Sequence, residues 1–193
     1  MLNGDTTISR LGRRSRALML GWLDQASRVT QIARARVTFW DCEASAQVYT
    51  TGPIHIQRNG GRIVIESKAV LRSGLRPPEL LCSTGTLIRI GSESVINYGT
   101  RIDARAADVI VGNRCLTGSW VRFITSEKGP IHLEDDVWIA HGAVIEGGVR
   151  IGAGSVIAAA AVVRDNVPRG MMAMGNPARS MSLDFAFGSE KDR

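Results

Sequence analysis

Three histidines, His55, His132 and His141, are the side chains whose ordinary pKa lets them exchange a proton near neutral pH, and they are the first candidates for acid–base chemistry. Three cysteines, Cys42, Cys82 and Cys115, are an odd number with no CxxC pair and no histidine at metal spacing. Neither a disulfide framework nor a zinc knuckle is expected from them. Gly152-Ala153-Gly154 has the look of a dinucleotide loop, but the third glycine is absent and no helix follows.

The elements that must position these groups announce themselves as a repeat. From Leu133 an aliphatic residue recurs at a step of six, through Ile139, Ile145, Ile151, Ile157 and Val163. Four residues after each of the first five comes a second small or aliphatic side chain: Val137, Ala143, Val149, Ser155 and Ala161. Two inward positions in six residues describe a short strand and a turn. Ordinary antiparallel strands would alternate in twos instead. The same frame appears as Ile90, Ile96, Ile102 and as Val111, Thr117, Phe123, with a fainter version from Ile65 and Leu71.

Three sixes close an 18-residue coil, so the expectation is a β-solenoid with four complete coils, 90/96/102, 111/117/123, 133/139/145 and 151/157/163. Both irregular steps, Ile102 to Val111 and Phe123 to Leu133, fall between the third turn of one coil and the first of the next. That gathers loops on one edge of a prism, where function is commonly carried. The composition agrees: 21 glycines in 193 residues suit tight corners, and 5% aromatic residues suit a narrow axis.

Net charge is +6, of which residues 1–40 carry +5 and the remaining 153 residues only +1. The basicity belongs to a leading segment whose stretch from Ile8 to Ala35 has helical composition and could cap the solenoid. Packing on a neighbouring subunit and weak attachment to an anionic membrane surface are its two readings. Base-stacking aromatics and a reading helix are both missing, so no nucleic-acid partner is expected. No run approaches the roughly 20 apolar residues of a membrane helix. The expected location is the cytoplasm, peripheral at the inner face of the membrane if the leader binds there. The expected organisation is a basic helical segment over 1–45, the solenoid over 46–170, and a C-terminal turn and tail over 171–193.

The stretch from Ile131 to Arg179, with Asp-Asp-Val-Trp-Ile at 135–139 and Gly-Asn-Pro-Ala-Arg at 175–179, resembles the hexapeptide-repeat acyltransferases, among them sugar O-acetyltransferases. Ile-Asn-Tyr-Gly-Thr at 96–100 and residues 60–74 look like polysaccharide-biosynthesis members of that family. The resemblance covers roughly residues 50–180. It implies an all-β chain, a left-handed parallel β-helix with an N-terminal helical segment. It also implies a homotrimer whose clefts bind acetyl-CoA or another acyl-CoA, and a histidine that deprotonates an acceptor hydroxyl for attack on the thioester. The family carries that histidine in a loop after the position matching Phe123. Here the stretch reads Phe-Ile-Thr-Ser-Glu-Lys-Gly-Pro and has none.

Eighteen residues beyond His141 is Ala159, its neighbour on the next coil at about 5 Å. By the resemblance these two positions line the pantetheine cleft, so His141 is expected as a relocated base or a CoA contact, against the plainer reading of a surface-corner histidine. His132, outward-facing and beside the shortened loop, is the second candidate base. Asn97 matches an acceptor-site asparagine, or else satisfies backbone at a turn. Trp138 matches a tryptophan beside the acyl site, or else packs at a trimer interface. Arg164 and Arg179 fall where the family approaches the nucleotide end of CoA, and guanidinium suits phosphate oxygens. Asp165 stands where the family often has lysine.

His141 to Glu146 is also similar to the β-helical carbonic anhydrases, which place a second histidine where Glu146 stands. With one of three required histidines placed, no metal is expected. The expected function is a CoA-dependent acyltransferase, O-acetyl foremost, acting on a sugar of a polysaccharide or its activated precursor, with a small-molecule or glycan acceptor as partner. The alternative is a catalytically inactive, structural or partner-binding trimer. N-acylation would differ only in the acceptor.

Overall fold

The computed structural model describes residues 25–183. Short strands with one inward aliphatic residue alternate with tight turns, and the chain coils into a three-sided prism. The first face stacks β1 (Glu43–Ala44), β4 (Arg62–Ile65), β7 (Leu87–Ile90), β10 (Val109–Val111), β13 (Ile131–Leu133) and β16 (Arg150–Ile151). The second stacks β2 (Tyr49–Thr50), β5 (Val70–Leu71), β8 (Val95–Ile96), β11 (Leu116–Thr117), β14 (Trp138–Ile139) and β17 (Val156–Ile157). The third stacks β3 (His55–Gln57), β6 (Glu79–Cys82), β9 (Arg101–Ala104), β12 (Arg122–Ile124), β15 (Val144–Glu146) and β18 (Val162–Val163). Neighbours within each face pair in parallel, as in Leu116↔Trp138 and Phe123↔Ile145.

The axis is filled as the step of six requires. Ile90, Ile96, Ile102, Phe123, Leu133, Ile139, Ile145, Ile151 and Ile157 are fully buried, and so are Ala143, Ser155 and Ala161 at the second inward position. At roughly 1.5–3 kcal/mol per buried aliphatic side chain, this column is the main source of stability.

Six rungs form, two more than the four expected. The second rung contains Ile65 and Leu71 but reaches its third inward residue, Leu80, only after an insertion at residues 72–78. That insertion follows a second-face strand and so lies at a different corner from residues 105–108 and 125–130, which follow third-face strands as anticipated. The first strand begins at Glu43, ahead of the boundary expected at 46.

Helix α1 (Gln25–Thr38) runs ahead of the first rung, and its Ala35, with Phe39 just beyond, joins the buried core beside Val48. The open end of the column is thereby plugged, the role expected of a cap. The part of the expected helical stretch before Gln25 lies outside the described residues. At the other end residues 171–182 form a hairpin rather than a turn and tail. β19 (Met171–Gly175) extends the second face in parallel to β17, and β20 (Ala178–Ser182) folds back antiparallel on it. Among the described residues no helix is long and apolar enough to cross a membrane.

Candidate functional site

His141 lies in the turn between β14 and β15 and is exposed. The register Ile139↔Ile157 and the bond from Ala160 N to His141 O at 2.9 Å place Ala159, also exposed, alongside it on the next rung. On the preceding rung the register Thr117↔Ile139 brings up Ser119, whose Oγ lies 2.8 Å from His141 Nδ1. Gly118 makes this approach feasible, since a Cβ there would stand 2.6 Å from the His141 backbone nitrogen. In the tautomer in which Nδ1–H donates to Ser119 Oγ, Nε2 carries the ring's lone pair. A general base held by an orienting partner has this geometry.

One residue further along the same corner, Gly99, Trp120, Gly142 and Ala160 occupy equivalent places with φ of 68°, 63°, 69° and 57°. A tryptophan in the left-handed region is uncommon and costs backbone strain. Its ring lies across Gly99, where a Cβ would stand 2.8 Å from the indole Cδ2, and Tyr98 meets it edge-on at 6.5 Å.

Trp120 walls a cleft of about 470 Å³ with Arg76, Glu79, Arg101, Asp103 and Arg122. Glu79 receives Arg76 at 2.7 Å and Arg101 at 3.0 Å. Asp103 receives Arg101 at 3.2 Å and Arg105 at 2.7 Å. Burial opposes ionisation of Asp103, but hydrogen bonds from Arg105 and Arg101 outweigh it and hold the carboxyl below its usual range. Arg122, exposed on β12, makes no ion pair with any described residue.

The other sequence-predicted residues do not gather round His141. His132 is on the first face, in a cavity of about 330 Å³ with Arg89, Arg169 and Glu134. Burial and the neighbouring Arg150 lower its pKa below the ordinary histidine value. Asn97 is buried, its Nδ2 donating to Thr117 O at 2.8 Å, so its amide is committed to the wall. Trp138 projects from the second face, 40% exposed, between Leu116 and Val156 of the adjoining strands. Arg164 pairs with Glu146 at 3.0 Å, and Arg179 with Asp165 at 3.7 Å, both at the C-terminal end.

Burial and Asp41 push the Cys42 thiol up to about 11, and burial raises Cys82, so neither of these two favours the thiolate. Among the described residues no group of His, Cys, Asp and Glu could hold a metal.

Sequence reasoning missed Ser119, Trp120 and Arg122. Ser119 lay outside a fixed 18-residue count, because the longer step between those two rungs sets its partner 22 residues on.

Residues 130–165 match the family described as bacterial transferase hexapeptide (six repeats). A Schizosaccharomyces pombe protein provisionally named an acetyltransferase is 33% identical over 117 residues, 53% of this chain and 56% of that one. The 2,3,4,5-tetrahydropyridine-2,6-dicarboxylate N-acetyltransferase of Clostridium perfringens is 52% identical over 52 residues, 27% of this chain and 22% of that one. The chain thus spans about half the length of the first of these curated relatives and about a fifth of the second. A solved hexapeptide-repeat-containing acetyltransferase from Vibrio cholerae is 25% identical with a TM-score of 0.53, covering 92% of this chain and 93% of that one. Residues 130–165 thus carry the hexapeptide repeat of that family, set within a three-faced solenoid similar to the Vibrio cholerae structure.

Proposed function

We propose that the protein is a CoA-dependent acyltransferase, O-acetyl foremost, that modifies a sugar of a polysaccharide or its activated precursor. The observation that carries this reading is the Ser119–His141 pair, exposed on a solenoid corner with small Ala159 beside it on the next rung. Nε2 removes the proton from an acceptor hydroxyl as that oxygen attacks the thioester carbonyl. The C–S bond then breaks, and the imidazolium returns the proton to the departing sulfur. Ser119 accepts from Nδ1–H throughout and steadies the charged ring. Arg164 and Arg179 are the groups proposed to meet the nucleotide phosphates of the acyl-CoA. Asn97 shapes the wall rather than touching the acceptor, and His132, on another face, takes no part.

A homotrimer completes the proposal, with exposed Trp138 at the subunit boundary. A catalytically inactive scaffold is the second reading, favoured by the absence of histidine from residues 125–130. Thiol release from acetyl-CoA with candidate sugars separates the two. Activity in the wild type supports the enzyme, and failure to bind CoA at millimolar concentration by calorimetry supports the scaffold.

For a protein at the cytoplasmic face of a membrane, α1 and the turn after it offer a suitable surface. Val29, Val37 and Trp40 are 72%, 75% and 82% exposed beside Arg28 and Arg36. Binding to anionic vesicles that weakens with salt is the expected result; binding equal on neutral vesicles would remove that reading.

A further inference from the structure

The cleft beside Trp120 has features that solenoid construction does not demand. The equivalent corner residues on either side are Gly99 and Gly142, so a small residue would satisfy the turn without strain. Trp120 instead keeps a left-handed backbone, lays its indole over Gly99 and leaves the side chain 37% exposed. The insertion at residues 72–78 is fastened over this corner by Gly99 N donating to Arg76 O at 2.8 Å, and it delivers the Arg76 guanidinium to the cleft. Three arginines line the cleft against two carboxylates, and Arg105 adds a fourth on Asp103. Arg76, Arg101 and Arg105 have their charges met by Glu79 and Asp103, which among the described residues leaves Arg122 without an ion pair. Glu79 is held below its usual range, since the bonds and charges of Arg76 and Arg101 outweigh the opposing effect of burial. Both carboxylates therefore stay ionised and fix the arginines in place.

An aromatic plate beside an unmatched guanidinium is a site for a pyranose ring that bears an anionic group. The apolar C–H face of the sugar packs on the indole, and carboxylate or phosphate oxygens take the fork of Arg122. We propose that this cleft is the acceptor subsite and that it selects an acidic sugar. The assignment rests on the acyl-transfer reading above and names its substrate class. Trp120 follows Ser119 directly, so a ring on the indole is presented at the corner that carries His141.

Calorimetry on the full chain provides the test, with tri-galacturonate, its neutral methyl ester and UDP-galactose as probes and CoA titrated in parallel. The acid is expected to bind at least about 10-fold more tightly than its ester, and less tightly as salt rises. Arg122→Ala is expected to weaken the acid roughly 10-fold and leave CoA unchanged. Trp120→Gly restores the residue found on the neighbouring rungs, so it removes the ring without straining the turn; it is expected to weaken acid and ester alike. Arg122-dependent binding of UDP-galactose without the trisaccharide would identify phosphate as the anion and uphold the site.

Equal affinity for acid and ester, indifference to Arg122→Ala, or no binding of either anionic probe at millimolar concentration would overturn it. Acid binding without any CoA binding would sink the acyl-transfer reading and leave the cleft as an acidic-glycan site.

Discussion

An imidazole on a solenoid corner is ordinary; Ser119 at 2.8 Å from Nδ1 gives this one a defined orientation and leaves Nε2 to the solvent side. His132 shows the opposite treatment. Burial and Arg150 disfavour its protonation, so its folded pKa lies below the unfolded value. The stability this contributes is complete above the ordinary histidine range and is lost as pH falls through the lowered folded value. Melting temperature should therefore drop between roughly pH 7 and 5, above the carboxylate range. In His132→Gln that drop should be shallower, whereas an unchanged slope would assign it to other groups. His141 and Ala159 were legible because one rung length connects them. Ser119 was not, since the insertion at 125–130 stretches its rung and shifts its partner to 22 residues away.

At the scale of the element, the turn after each second-face strand decides whether a site can exist. Gly118 allows the backbone of His141 to approach, and an added Cβ would clash with backbone, which cannot swing aside. Gly118→Ala should cost about 1–3 kcal/mol. For a chain of this size that corresponds to a melting temperature lower by about 2–12 °C, measurable by calorimetry. No loss would mean that the rungs can separate locally. The central rungs were readable because bulky aliphatic residues fall in strict sixes. The first rung keeps the same spacing at Ala44, Thr50 and Ile56, but Ala44 is small and Thr50 polar, with Ala35 and Phe39 of the cap also entering the core. The second escaped because residues 72–78 interrupt its count.

For the molecule as a whole, chemistry is distributed over corners while the column stays rigid. His141 and the Trp120 cleft share the edge between the second and third faces, and Arg164 and Arg179 lie towards the C-terminal end. His132 opens on the first face, out of their reach by construction. An acidic sugar presented along the shared edge and an acyl thioester anchored at the C-terminal end would meet at His141. The measurement that tests this most directly is the rate of thiol release from acetyl-CoA in the presence of an acidic oligosaccharide acceptor, compared between wild type and His141→Asn. The variant should lose roughly 10²–10⁴-fold in kcat while binding CoA as the wild type does. Full activity in His141→Asn would contradict the assignment of the base.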